Sequence, residues 1–147
     1  MEANETLDYY IKHSWHAIAN YYNQAAAPHR LTQATGFVLL NINSKEGTPA
    51  TKIAPLMGMK ATSLSRVLKS MEESDLICRK KDKTDGRLVK IHLTSKGKSK
   101  KKIAKKVVKE FNEFLISRID ESKIETYKEV MSDILLLTEE YNQKLLS

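Results

Sequence analysis

Residues 63–98 read SLSRVLKSMEESDLICRKKDKTDGRLVKIHLTSKGK, and they decide the fold. The first part has the helical period: Leu64, Val67, Leu68 and Met71 recur at i, i+3, i+4 and i+7. The opposite face carries Thr62, Ser63, Ser65, Arg66 and Lys69, with no acidic residue before Glu72. A solvated helix face usually mixes both charge signs. The period then changes to two. LICRKK and LVKIHL are short β runs, and DKTDGR between them, with its Asp-Gly, predicts a hairpin. Lys81, Lys83 and Arg87 fall at or beside its tip.

Upstream, residues 7–24 and 33–43 predict two helices, the second apolar nearly all round and therefore buried. Thr48-Pro49 reads as an N-cap followed by proline in the first turn. Ile53, Ala54 and Met57 form the stripe of the helix that follows, Pro55 should kink it or make it partly 3₁₀, and Gly58 should end it. Downstream, residue 95 begins a lysine-rich helix, and a last helix capped by Asp120 or Ser122 runs to the C-terminus.

The charge is local. Of 25 Lys/Arg and 18 Asp/Glu, residues 79–106 hold 13 and 2, leaving 12 against 16 elsewhere. Such a patch on an otherwise acidic chain is the electrostatic footprint of a polyanion partner; the plain alternative is a solvated lysine face. Two short helices in tandem, the second with a small, hydroxyl-rich and basic face, and a basic hairpin behind them form a helix-turn-helix with a wing. The expected fold class is mainly α with a small β-hairpin wing, a winged helix-turn-helix with long terminal dimerisation helices. The expected division is a DNA-binding lobe over 33–94 and a helical dimerisation region from 1–32 and 95–147. There Ile11, Ile18, Val130, Ile134 and Leu135 exceed what one thin lobe can cover.

The order and spacing of Leu76-Ile77-Cys78-Arg79, Asp82-x-x-Asp85-x-Arg87 and Leu93-Thr94-x-x-Gly97 resemble the MarR family of bacterial transcriptional regulators. The resemblance implies a homodimer reading a pseudo-palindrome in double-stranded DNA. The hydroxyl-rich, basic face of the second helix predicts Ser63, Ser65 and Arg66 at base edges or adjacent phosphates of the major groove, with Thr62 and Lys69 on the backbone. The resemblance implies Arg87 in the minor groove, Asp85 bracing it by a salt bridge, Asp82 shaping the loop and Thr94 capping the next helix. It also implies a repressor released by a small aromatic or apolar acid bound between the first helix and the DNA-binding lobe, where Trp15 and His16 are the candidate contacts. Pro55 and the density of lysines over 96–106 depart from the family pattern.

Other function classes find little support. No phosphate loop, nucleophile elbow or carboxylate pair suggests an enzyme. His13, His16, His29 and His92 lack metal-ligand spacing, and no cofactor is expected. Cys78, on a strand beside core positions, reads as a buried, inert thiol. No stretch suits a membrane, and MEANETLDYY lacks the apolar core of a signal peptide, so the expectation is cytoplasmic. The alternative from another class is a basic winged-helix module binding RNA or a protein without acting on a promoter.

Overall fold

Apolar residues three and four apart dictate α1, which in the computed structural model runs over Leu7–Ala26, two residues beyond the expected end. The structure describes all 147 residues. A 3₁₀ turn at Ala27–His29 follows, and Arg30 in the left-handed region (φ 57°) closes it. α2 (Gln33–Asn41) starts on a reciprocal cap. The Thr32 hydroxyl accepts the Thr35 N–H at 3.2 Å, and the Thr35 hydroxyl accepts the Thr32 N–H at 2.8 Å.

The structure corrects the reading of Thr48-Pro49. These residues form β1 (Thr48–Pro49), paired antiparallel with β3 (Val89–Leu93) through Thr48–Ile91 and Pro49–Lys90. β3 has its other neighbour on the far side, so β1 is an edge, where proline is tolerated. Two residues are too few to show a period. Thr48 serves the helix before it: its hydroxyl accepts the Asn43 N–H at 2.9 Å and donates to the Asn41 carbonyl at 3.4 Å, and α2 stops at Asn41.

α3 (Ala50–Met57) is α-helical through Pro55, with no 3₁₀ stretch. In so short a helix the missing N–H removes only one i→i−4 bond. Gly58 ends it as expected, at φ 62°. α4 (Ala61–Glu73) ends on a left-handed residue that is not glycine. Asp75 sits at φ 58°, its N–H bonds the Glu72 carbonyl at 3.0 Å, and the Leu76 N–H reaches back to Met71 at 2.9 Å. β2 (Ile77–Lys81) then pairs with β3 from Ile77–Leu93 to Lys81–Val89. Between the helices and the sheet lie the buried Val38, Leu39, Ile42, Ile53, Met71 and Ile91.

α5 (Ser95–Ile116) begins at a junction that explains the Leu-Thr-x-x-Gly spacing. The Thr94 hydroxyl accepts the Gly97 N–H at 2.9 Å, as an N-cap should. It also donates toward the Asp75 and Leu76 carbonyls, at 2.6 and 3.1 Å. The Thr94 N–H donates to the Leu76 carbonyl as well, at 3.1 Å. Gly97 is buried against that same carbonyl, and a Cβ there would stand 2.0 Å from its oxygen.

Three lysines of the basic run turn inward. Lys96 Nζ donates to the Ser74 carbonyl past α4 at 2.9 Å, and Lys100 Nζ to the His29 carbonyl at 2.8 Å. Lys101 Nζ donates to the Ile42 carbonyl past α2. Each ammonium meets the negative end of a helical segment, where a cation is stabilising by about 0.3–1 kcal/mol. Burial, with some repulsion from Lys105, holds Lys101 below the usual lysine range.

The chain divides into two compact units, Met1–Val108 and Lys109–Ser147. The second holds the end of α5 and α6 (Glu121–Leu146), for which Asp120 occupies the N-cap position. α6 has no buried residue; Leu135, Leu136 and Leu146 are 73%, 71% and 89% exposed.

Gly97→Ala should destabilise the fold by about 3 kcal/mol, because backbone must move to admit one methyl. Gly86→Ala should stay within about 0.5 kcal/mol, since open space surrounds Gly86 and its φ is not positive. Urea unfolding of both variants against the wild type checks the contrast.

Candidate nucleic-acid interface

α3, a three-residue turn over 58–60 and α4 form a helix-turn-helix, with the hairpin of β2 and β3 behind it. α4 buries Leu64, Leu68 and Met71 and half-buries Val67. Thr62, Ser63, Ser65, Arg66 and Lys69 are all exposed, as the helical period requires. The Ser65 hydroxyl donates back to the Ala61 carbonyl at 3.0 Å, so toward an outside group it offers lone pairs. Lys60 occupies the N-cap and no side chain closes the first turn. Amides at a helix start face an anion readily, and a lysine there adds charge of the matching sign. The absence of Ser, Thr, Asp or Asn before residue 61 was the available signal for this feature. Glu72, the first acid on α4, is engaged by Arg79 Nε at 2.6 Å.

The hairpin tip is a loop over 82–88, wider than a two-residue Asp-Gly turn. The Asp82 N–H donates to the Leu88 carbonyl at 2.8 Å, and the Leu88 N–H to the Asp85 carbonyl at 3.0 Å. The expected salt bridge between Asp85 and Arg87 is absent. Asp85 Oδ1 instead accepts the Arg87 backbone N–H at 3.0 Å, so the carboxylate fixes the main chain and leaves the guanidinium free. Short Asp side chains favour such bonds two residues on. Asp82 accepts the Thr84 hydroxyl at 2.8 Å and lies 3.7 Å from Lys90. That hydrogen bond first, opposed by some burial and helped by Lys90 and loop amides, holds the Asp82 carboxyl below its usual value. Lys81, Lys83, Asp85 and Arg87 are all exposed.

Cys78 is half-buried, not fully buried as expected, because it lies on the sheet face away from the core, opposite His92. The His92 ring packs under Gly47: a Cβ on Gly47, whose φ is +72°, would come within 2.7 Å of it. Burial first, then Lys80, Lys90 and Lys98, push the His92 pKa down.

The structure does not bring Trp15 and His16 together at one cavity. Trp15 stacks edge-on with Phe37 at 6.3 Å, while exposed His16 pairs with Asn20 at 3.4 Å. A nearby apolar cleft between α1, α2 and α5 is lined by Tyr22, Leu31, Phe37, Leu40, Ile103 and Val107, among others, and includes neither. Its volume is about 30 Å³, little more than a water occupies.

Helix, turn, helix and hairpin sheet in this order define a winged helix-turn-helix protein. The profile of the MarR family of transcriptional regulators matches residues 31–89, from just before α2 to the first residue of β3. Members of that family are transcriptional regulators, not enzymes. The chain is 34% identical over 95 residues to the HTH-type transcriptional regulator SarZ of Staphylococcus aureus, a match covering 64% of this chain and 64% of that relative's length. Among solved structures, the S. aureus MepR–DNA complex is similar with a TM-score of 0.80 and 23% identity over 88% of this chain and 96% of that one. The repressor CouR bound to a 23-mer DNA duplex has a TM-score of 0.75 and 25% identity over 90% and 94%. CouR from Rhodococcus jostii RHA1 bound to p-coumaroyl-CoA has 0.77 and 18% over 91% and 94%.

His92 titrates below its ordinary value in the fold, so below about pH 6.5 the unfolded chain binds more protons than the folded one. Stability should therefore fall as pH drops from about 7.5 toward 5, and level off once the folded imidazole is protonated too. Denaturant midpoints across that range check this, and His92→Gln should flatten the dependence.

Proposed function

We propose that the chain is a sequence-specific DNA-binding transcriptional regulator, a homodimeric repressor of a pseudo-palindromic operator. The observation that carries this reading is the exposed face of α4. It holds hydroxyls and cations and no acid over Thr62 to Lys69, and the basic wing loop belongs to the same compact unit. A helix fits the major groove, about 12 Å wide. Thr62, Lys69 and the open first turn of α4 would meet phosphates, and Ser63, Ser65 and Arg66 the base edges. Arg87, its backbone fixed by Asp85 and its guanidinium free, would enter the minor groove, with Lys81 and Lys83 along the phosphates. Residues 60–98 hold no Phe, Tyr or Trp, and their one imidazole, His92, packs under Gly47, which favours duplex DNA over single-stranded RNA.

Dimerisation would use residues 1–32 and 95–147. Ile11, Val130 and Leu135 are 37%, 42% and 73% exposed, and Ile18 and Ile134 are half-buried. Release by a small aromatic or apolar acid would work through the cleft beside Phe37. Its volume is far below the roughly 300–1,000 Å³ of ordinary ligand pockets. A ligand there would have to part α2 from α1 and α5, and α2 packs Val38 and Leu39 into the core that supports α3 and α4.

Binding of the purified protein to DNA upstream of its own coding region tests the reading. Arg66→Ala should cost about 1–3 kcal/mol on the bound site if it makes a bidentate base contact. Arg87→Ala should weaken sites with A·T-rich flanks more than G·C-rich ones. Asp85→Asn should bind nearly as the wild type, because an amide oxygen also accepts the Arg87 N–H, whereas Asp85→Ala should bind less tightly. Equal loss in both Asp85 variants would mean that charge matters, not the turn. Sedimentation should give a dimer at micromolar concentration.

A further inference from the structure

The inward lysines of α5 have a structural use, and the outward ones do not. Lys98, Lys102 and Lys105 are exposed and lack a salt bridge. They recur at i, i+4 and i+7, so they share one side of the helix over a rise of about 10 Å. No Asp or Glu occurs between Thr94 and Lys109. The stripe continues onto the sheet. Lys98 acts electrostatically on His92, and so do Lys80 and Lys90, which face each other across the strands on the same side. Like charges directly opposite in a sheet are destabilising, and of this pair Lys90 has a counter-charge, Asp82 at 3.7 Å; the α5 side holds no acid, whereas a merely solvated face mixes signs.

We infer that the α5 part of this stripe, Lys98, Lys102 and Lys105, is a second DNA contact that holds the phosphate backbone of duplex flanking the operator. The inference rests on the DNA-binding reading above. The stripe is made of lysines alone, with no arginine fork. Lysine is depleted from protein–protein interfaces, where aromatics and arginine are enriched. Flexible ammonium point charges match a backbone that is contacted without regard to sequence. The stripe is also continuous with the strands that carry the wing loop, so duplex leaving the wing could meet it next.

The experiment compares the bound operator in its shortest fully active duplex with the same operator extended by one helical turn, about 10 base pairs, on each side. For the wild type, extension should strengthen binding and steepen the dependence of log affinity on log salt by about 0.9 for each added phosphate contact. The triple variant K98Q/K102Q/K105Q should lose this increment and keep its affinity for the short duplex within about twofold, since its substitutions avoid the phosphate contacts of α4 and the loop. Helical circular dichroism verifies its fold, and the three single variants, each losing about a third of the added slope, give the same test if the triple variant unfolds. A wild type indifferent to extension would overturn the inference and leave the stripe to an acidic protein. Equal loss by the triple variant on both duplexes would also overturn it. Failure of the wild type to bind the short duplex would instead overturn the regulatory reading itself, and the inference with it.

Discussion

The Leu76 carbonyl is the point on which the winged lobe depends. It accepts the N–H of Thr94 and its hydroxyl, and Gly97 lies against it. The Leu76 N–H is committed in the other direction, to the last turn of α4. One peptide unit thus joins the end of the helix with the hydroxyl-rich face, the start of β2, the end of β3 and the start of α5. Because a buried carbonyl must find donors, and two of them come from one residue 18 positions away, the angle between α4 and the wing is set by hydrogen bonds and not by side-chain packing alone. α4 and the wing tip, separated by such a junction, keep a fixed spacing.

Lysines 96, 100 and 101 extend that junction along α5. Their ammonium groups reach carbonyls beyond α4, the 3₁₀ turn and α2, so α5 is tied to three other parts of Met1–Val108 by the same chemistry. A high local count of positive charge therefore has two origins. Part of it closes helix ends, and only the remainder is offered outward.

Much of this was legible in the sequence, for physical reasons that differ by element. The period-3.6 stripe of α4 named its buried and exposed residues correctly, because an amphipathic helix has only one way to face a core. The hairpin was legible from alternation, and the Thr94 cap from its place before a helix. β1 was missed because Thr-Pro is also a helix-start signal, and an edge pairing of two residues leaves no pattern. The Asp85 bond was misassigned to the guanidinium, since spacing alone cannot say whether a carboxylate meets a side chain or the amide beneath it. Cys78 is less buried than its strand position suggests, because alternation assigns faces but not how well the second face of a thin sheet is covered. The inward turn of Lys96, Lys100 and Lys101 was invisible for the same kind of reason: the acceptors are backbone carbonyls up to 71 residues away.

α6 raises a different matter, the order in which the molecule matures. The first unit has its own core, but α6 is 26 residues of helix with nothing buried. Tertiary burial supplies most helical stability in proteins, and a helix without it is marginal in water. The last turns of the chain therefore depend on whatever covers their leucines. If that cover is a second chain, completion is a bimolecular step governed by mass action. Newly made protein would pass through a folded lobe with an unfinished tail, for a time that lengthens as copy number falls, so expression level itself would set how much mature protein exists.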